Sequence, residues 1–151
     1  MKDKVTIREA KETEIALIQD LVREMASYER RPEDMTGTKD QLRYWLFERK
    51  IATILLMECE DKPIGYAIYY PIFGSFAACA NVHLEDLYIR EEYRKHGLGR
   101  YFFEAIARRA REEGYTKMEW SCLDWNTPSI AFYEKLGAAY ENGRKYFELP
   151  L

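Results

Sequence analysis

The apolar positions of the chain begin at a period of two and lengthen to that of a helix. Residues 4–9, KVTIRE, alternate as a short strand, and Ile15, Ile18, Leu21, Val22 and Met25 then recur at helical spacing, with Thr13 placed to cap the helix they predict. The stretch RRPEDMTG breaks that helix. KDQLRYWLFERK predicts a second one through Leu42, Trp45, Leu46 and Arg49, its start blurred by Thr36, Gly37 and Thr38. ATILLMECEDKPIGYAIYYPIF reads as two β-rich runs about a turn at Asp61, Lys62 and Pro63, and NVHLEDLYI follows as a third after GSFAACA. A helix from about Gly97 to Arg111 carries Leu98, Tyr101, Phe102, Ala105, Ile106 and Arg109 at helical intervals and stops at Gly114. TKMEWSCL predicts a strand, PSIAFYEKL a short helix between Pro128 and Gly137, and YENGRKYFEL a closing hairpin around Asn142 and Gly143. The order βααβββαβαββ joins an antiparallel front half to a strand-helix-strand crossover. It predicts an α/β fold, a mixed central sheet with helices on both faces.

One of these strands changes phase. In NVHLEDLYI, Val82 and Leu84 fall on even numbers and Leu87 and Ile89 on odd ones, so a regular strand cannot bury all four on one face. One extra residue near Glu85 and Asp86 restores the register as a β-bulge, which leaves backbone groups unpaired and re-aims nearby side chains. A strand covered on both sides would need no bulge. The two carboxylates at the register change, a few residues ahead of a glycine turn, favour it.

At 151 residues the chain has the size of one domain, and residues 1–151 are expected to form a single one. With 47% hydrophobic, 15% aromatic and 32% charged residues the composition is globular. The net charge of −3 argues against a nucleic-acid binder, which needs a concentrated basic surface, so any phosphate must be bound locally. Cys59, Cys79 and Cys122 are far apart without C-x-x-C spacing, so no metal site or disulfide framework is signalled. The N-terminus MKDKVTIREA has no apolar signal region, and no apolar run approaches membrane-spanning length. The expectation is a cytoplasmic protein with no membrane partner and reduced cysteines.

Local phosphate binding has one evident candidate, EEYRKHGLGR at residues 91–100. Arg94, Gly97 and Gly99 let the backbone approach a ligand closely where a helix starts, and the free N–H groups of its first turn point at an anion. The turn lacks the Lys-Ser/Thr pair of a nucleotide-binding loop and the third glycine of a dinucleotide fingerprint.

Taken with LDWNTPSIAFYEKLGA some two dozen residues on, the segment HLEDLYIREEYRKHGLGRYFFEAI resembles the GNAT family of N-acetyltransferases and, within it, the spermidine/spermine (diamine) and thialysine branch. Leu84-Glu85-Asp86, Arg94-x-x-Gly97-x-Gly99, Trp125-Asn126, and Phe132-Tyr133 before Leu136-Gly137-Ala138 fall where that branch has them. The resemblance implies acetyl-CoA as co-substrate and no metal. It implies cofactor contacts from Leu87, Tyr88 and Ile89 along the pantetheine arm, where the strands HLEDLYI and MEWSCL would splay. It adds Arg94, Lys95, His96, Gly97, Leu98, Gly99 and Arg100 around the pyrophosphate, His96 through its amide, and Asn126 with Ser129. Tyr28, Glu29 and Glu85 would meet a small-molecule amine. A homodimer is also implied, with RKYFELPL as its packing edge.

The chemistry this family performs is direct attack of an amine on a thioester. An alkyl ammonium of pKa near ~10 is neutral about one part in a thousand at pH 7, a penalty of roughly 4 kcal/mol, so a base is needed. Glu85 is the expected base, directly or through water, and Asp86 a supporting partner. The resemblance implies a tyrosine as acid to the leaving CoA thiolate, and Tyr133, seven residues after Asn126, matches that place. His83 reads as an ordinary strand residue. Arg30 and Arg31 follow Tyr28 and Glu29, FGSFAACAN lacks the Asp-Pro-Trp-like stretch of the polyamine enzymes, and Asn142 stands where that branch has an acid. These departures favour a small amine or an amino acid with a side-chain amine over a polyamine. The alternatives are acetylation of a protein amine and a non-catalytic acyl-CoA sensor.

Overall fold

In the computed structural model, which describes residues 1–151, the chain runs β1 (Val5–Glu9), α1 (Ile15–Tyr28), α2 (Lys39–Arg43), β2 (Thr53–Cys59), β3 (Lys62–Gly74), β4 (Cys79–Ile89), α3 (Leu98–Glu112), β5 (Met118–Glu119) and α4 (Thr127–Lys135). The five strands form one sheet in sequence order, antiparallel from β1 to β4 and parallel between β4 and β5. Residues Met1–Ser121 make one compact unit holding the sheet with α1, α2 and α3, and Cys122–Leu151 make a second holding α4.

The run ILLM explains the layering of the first unit. Ile54 and Leu56 pack with Ile18 and Leu21 of α1 and with Tyr66, while Leu55 and Met57 pack on the other face with Leu98, Phe102 and Ile106 of α3. A strand buried on both faces reads as continuous rather than alternating, and each fully buried side chain of this kind contributes about 1.5–3 kcal/mol relative to exposure. The mixed sheet with helices on both faces is therefore present as expected.

Four local expectations are corrected. Thr13 does not cap α1: it lies inside a 3-10 turn at Glu12–Glu14, where the Lys11 N–H donates to Glu14 Oε1 at 2.8 Å. The β2–β3 turn falls at Glu60 and Asp61, both at positive φ (51° and 64°), and Lys62 and Pro63 already belong to β3. A two-residue hairpin loop of this twist matches the flanking strands, and Pro63 is accommodated because the ladder slips beside it, leaving Ile64 without a partner on β2. TKMEWSCL contributes only Met118 and Glu119 to the sheet. The closing hairpin at Asn142 does not form, so the last two strands of the expected order are missing. Its flanks place charge on both sides of the turn, every residue from Tyr140 to Leu151 is exposed, and a two-stranded hairpin without a buried face is marginal.

α2 starts at Lys39, with Thr38 closing a reciprocal cap: its Oγ1 accepts from Gln41 N and its N–H donates to Gln41 Oε1. The helix then loosens into a π-helical turn over Tyr44–Glu48. Arg8 ties β1 to the start of α1 and to β2, donating to Glu14 at 2.7 and 2.8 Å and to Glu58 at 2.6 Å. Those bonds hold the Glu14 carboxyl down at about 2. No helix is long and apolar enough to cross a membrane.

Candidate active site

The phase change in β4 is a bulge. Ile68 pairs with Asp86 and Tyr69 with Leu84, so Glu85 has no partner on β3. Val82, Leu84 and Ile89 are buried in the core beneath α3 with Leu87 packed against it, whereas Tyr88 packs on the α1 side of the sheet. All four aliphatic residues thus share one face across the slip, and the carboxylates at the slip point two ways.

Glu85 is half-exposed; its Oε2 accepts from Tyr70 Oη at 3.0 Å and lies 3.3 Å from His83 Nε2. Asp86 turns inward and accepts from Tyr66 Oη at 2.8 Å. Burial raises the Asp86 carboxyl to about 6 against the pull of the Tyr66 hydrogen bond, with Glu85 and Glu29 adding repulsion. Glu29, just past the end of α1, is also raised by burial, with Arg31 opposing and Glu85 reinforcing the shift. The Tyr66 hydroxyl is held well above its usual value by burial and then by the Asp86 charge. Three carboxylates from two elements therefore lie within electrostatic reach of one another, an arrangement that favours a cation.

The glycine turn has two residues in the left-handed region, Lys95 (φ 65°) and Gly97 (φ 75°), before α3 opens at Leu98. The first amides of a helix lack partners within it, so Leu98, Gly99 and Arg100 offer N–H groups there. The cationic side chains do not all crown the turn. Arg94 Nε donates to Ile89 O at 2.6 Å, and its guanidinium lies over the rings of Tyr28 (4.7 Å) and Tyr88 (5.4 Å). Arg100 pairs with Glu104 at 2.7 Å, while Lys95 and His96 are exposed. Lys2, which the sequence reading passed over, reaches this turn: a Cβ on Gly97 would stand 3.5 Å from Lys2 Cε and 3.7 Å from its Nζ.

The parallel β4–β5 pairing ends at His83 and Glu119, while β4 continues through Ile89. Its edge from Leu84 onward, including Leu87, Tyr88 and Ile89, thus runs past the end of β5. In the second unit, Asn126 is buried and caps α4, accepting from Ser129 N at 3.4 Å, and Pro128 sits in the first turn. Tyr133 lies on the same helix, its ring edge-on to Phe132 at 5.2 Å. The expected site residues thus fall into two groups, Tyr28, Glu29, β4 and the turn in the first unit and Asn126, Ser129 and Tyr133 in the second. Tyr66, Tyr70 and His83, which hold the carboxylates, carried no signal beyond strand periodicity, because their role depends on cross-strand register.

The acetyltransferase (GNAT) family matches residues 16–138. A thialysine N-epsilon-acetyltransferase of Sus scrofa is 32% identical over 143 residues, covering 89% of this chain and 84% of that one. An L-ornithine N5-acetyltransferase of Arabidopsis thaliana is 26% identical, covering 87% and 78%. Among solved structures, an aminoglycoside acetyltransferase from an uncultured soil metagenomic sample, in complex with sisomicin, superimposes with a TM-score of 0.83 at 14% identity, covering 99% of this chain and 98% of that one. The chain belongs to the GNAT acetyltransferase family. It is an acetyl-CoA-dependent acetyltransferase, with acetyl-CoA as co-substrate.

The raised Asp86 carboxyl makes a signed prediction. Its folded value near 6 exceeds the ordinary 3.8, so between those limits the native state binds the extra proton and stability falls as pH rises. Asp86→Asn keeps the shape without the charge. Its Tm relative to the unsubstituted protein should rise across pH 4 to 7, by the equivalent of about 1–3 kcal/mol. Scanning calorimetry at several pH values reads this directly, and a difference that does not change with pH would remove Asp86 as the cause.

Proposed function

We propose that this enzyme transfers the acetyl group of acetyl-CoA to the primary amine of a small amine or an amino acid with a side-chain amine, of the diamine or thialysine kind. The observation that carries this reading is the group of carboxylates formed by Glu85 and Asp86 at the β4 bulge and Glu29 at the end of α1: burial raises the Asp86 and Glu29 carboxyls, the Glu85 charge adds repulsion to both, and an alkyl ammonium relieves it. The similarity to thialysine and ornithine acetyltransferases supports it, since both names describe amino acids with a side-chain amine. Arg30 and Arg31, directly after Glu29, disfavour a polycation and suit a substrate carboxylate.

Acetyl-CoA supplies the activated thioester. The chain holds it through the amides of the turn from Arg94 to Arg100, with Lys95 and His96 in that turn, through the β4 edge at Leu87, Tyr88 and Ile89, and through Asn126 and Ser129. The left-handed turn ahead of α3 and the edge of β4 that outruns β5 fit this role. Glu85 accepts the proton shed by the amine, directly or through water, as the nitrogen bonds to the acetyl carbon. The carbon–sulfur bond breaks with its electron pair on sulfur, and the Tyr133 hydroxyl supplies the proton that sulfur takes up.

Four tests address separate parts of this reading. A panel of lysine, ornithine, diamines and polyamines with acetyl-CoA, followed by free-thiol release, should show turnover highest for the amino acids. On the best substrate Tyr133→Phe should keep CoA affinity and lower kcat by roughly 10² to 10⁴, while Glu85→Gln should lose most near neutral pH and regain part at higher pH. Normal kcat in both variants would refute the assignment of acid and base, and no turnover of any amine would favour an acyl-CoA sensor. Gly97 lies at φ 75°, where a side chain is strained and closes the approach of a ligand to the backbone. Gly97→Val should therefore lose CoA binding by calorimetry, and a folded variant with unchanged affinity would remove the turn from the cofactor site. Finally, the exposed Tyr146, Phe147 and Leu149 of the C-terminal segment suit packing on a second copy. Sedimentation at micromolar concentration should show a homodimer, and a monomer there would overturn that assembly.

A further inference from the structure

Glu85 does not stand alone on its face of the sheet. Its Oε2 is 3.3 Å from His83 Nε2, and the other ring nitrogen, Nδ1, is 4.0 Å from Glu119 Oε1 on β5. Tyr70, the register partner of His83 on β3, lays its ring beside the imidazole at 5.1 Å between centroids and 32° between planes, and donates its hydroxyl to the same Glu85 oxygen at 3.0 Å. Glu119 is the register partner of His83 on β5, and Lys117 Nζ reaches its second oxygen at 3.7 Å. The side chains grade from Glu85, 51% exposed, through His83 at 23% to Glu119 at 46%, so a mostly covered imidazole bridges two carboxylates that both reach solvent.

We propose that His83 is the exit for the proton that Glu85 collects from the amine, with Tyr70 holding carboxylate and imidazole in line. The proposal rests on Glu85 being the base. In this scheme a bound amine covers Glu85, otherwise 51% exposed, and the carboxylic acid formed by proton abstraction must be emptied before the next turnover. Neutral His83 accepts that proton at Nε2, regenerating the Glu85 carboxylate. The imidazolium then releases the proton on Nδ1 to water at the sheet edge, near Glu119 at 4.0 Å, and exchange with water moves the remaining proton from Nε2 to Nδ1 so that Nε2 can accept again. An imidazole suits this work because each of its nitrogens both takes up and gives up a proton. His83 touches neither substrate nor cofactor in this scheme; it acts through Glu85 as a positioning and relay residue.

The test is steady-state kinetics on the full chain with acetyl-CoA and the best amine. His83→Phe keeps an aromatic ring against Tyr70, and His83→Gln keeps a polar side chain beside Glu85 without the ability to carry a proton. Both should bind CoA within about two-fold of the unsubstituted enzyme and lose at least roughly ten-fold in kcat. Added imidazole should restore part of that loss with a dependence on its concentration, because a diffusing base empties Glu85 instead, and the unsubstituted enzyme should not respond. Full activity in His83→Gln would mean that a hydrogen bond to Glu85 suffices and would overturn the relay. A loss that imidazole does not relieve would also overturn it. Glu85→Gln separates the two levels: unimpaired turnover there removes the base itself, whereas an inactive Glu85→Gln beside a normal His83→Phe removes the relay alone.

Discussion

The single slipped residue in the β3–β4 ladder is the constraint around which the first unit is arranged. With Glu85 left out of the pairing, Val82, Leu84, Leu87 and Ile89 all reach the core that α3 covers. A regular strand would turn two of the four away from α3 toward the α1 side of the sheet. The bulge keeps these four side chains together on the α3 face, exposes Glu85 and directs Asp86 into the sheet. The irregularity lies just beyond His83, where the pairing of β4 with β5 ends, so the two carboxylates sit at the start of an open strand edge.

Two acidic groups of the first unit are handled in opposite ways. Glu14 accepts two hydrogen bonds from Arg8, and its acid is driven down to about 2. Asp86 has a tyrosine hydroxyl as its partner and acidic neighbours, and burial raises it to about 6. The first arrangement stabilises the fold at neutral pH; the second weakens it there. A protein that needed Asp86 only for packing would be better served by a neutral side chain. The repulsion that folding leaves among Asp86, Glu85 and Glu29 favours a positive charge beside them.

The end of α1 and the start of α3 are coupled through β4. Arg90 reaches Glu24 at 3.1 Å and the Pro63 carbonyl at 2.9 Å, and Arg94 lies over both Tyr28 and Tyr88 while bonding Ile89. A guanidinium is suited to this because its plane stacks on aromatic faces while its edge donates. The residue that begins the glycine turn thus also packs on Tyr28, so the end of α1 and the turn before α3 share a side chain.

Periodicity alone specified most of the element order from β1 through α4, and the change of phase between Leu84 and Leu87 located the bulge, because burial on one face of a strand leaves a strict period of two. Chain chemistry also marked the turn before α3, since Gly97 occupies a backbone region that other residues enter at a cost. Tertiary structure decided what local pattern does not encode. Cross-strand register brought Tyr70 and His83 to Glu85 and Tyr66 to Asp86. Lys2, remote in sequence, came to lie against Gly97, and Arg94 turned to aromatic faces that only folding assembles. The Asn142-Gly143 signal failed for the complementary reason: a hairpin turn holds two strands only when their side chains have a surface to bury against, and every residue flanking this one is exposed.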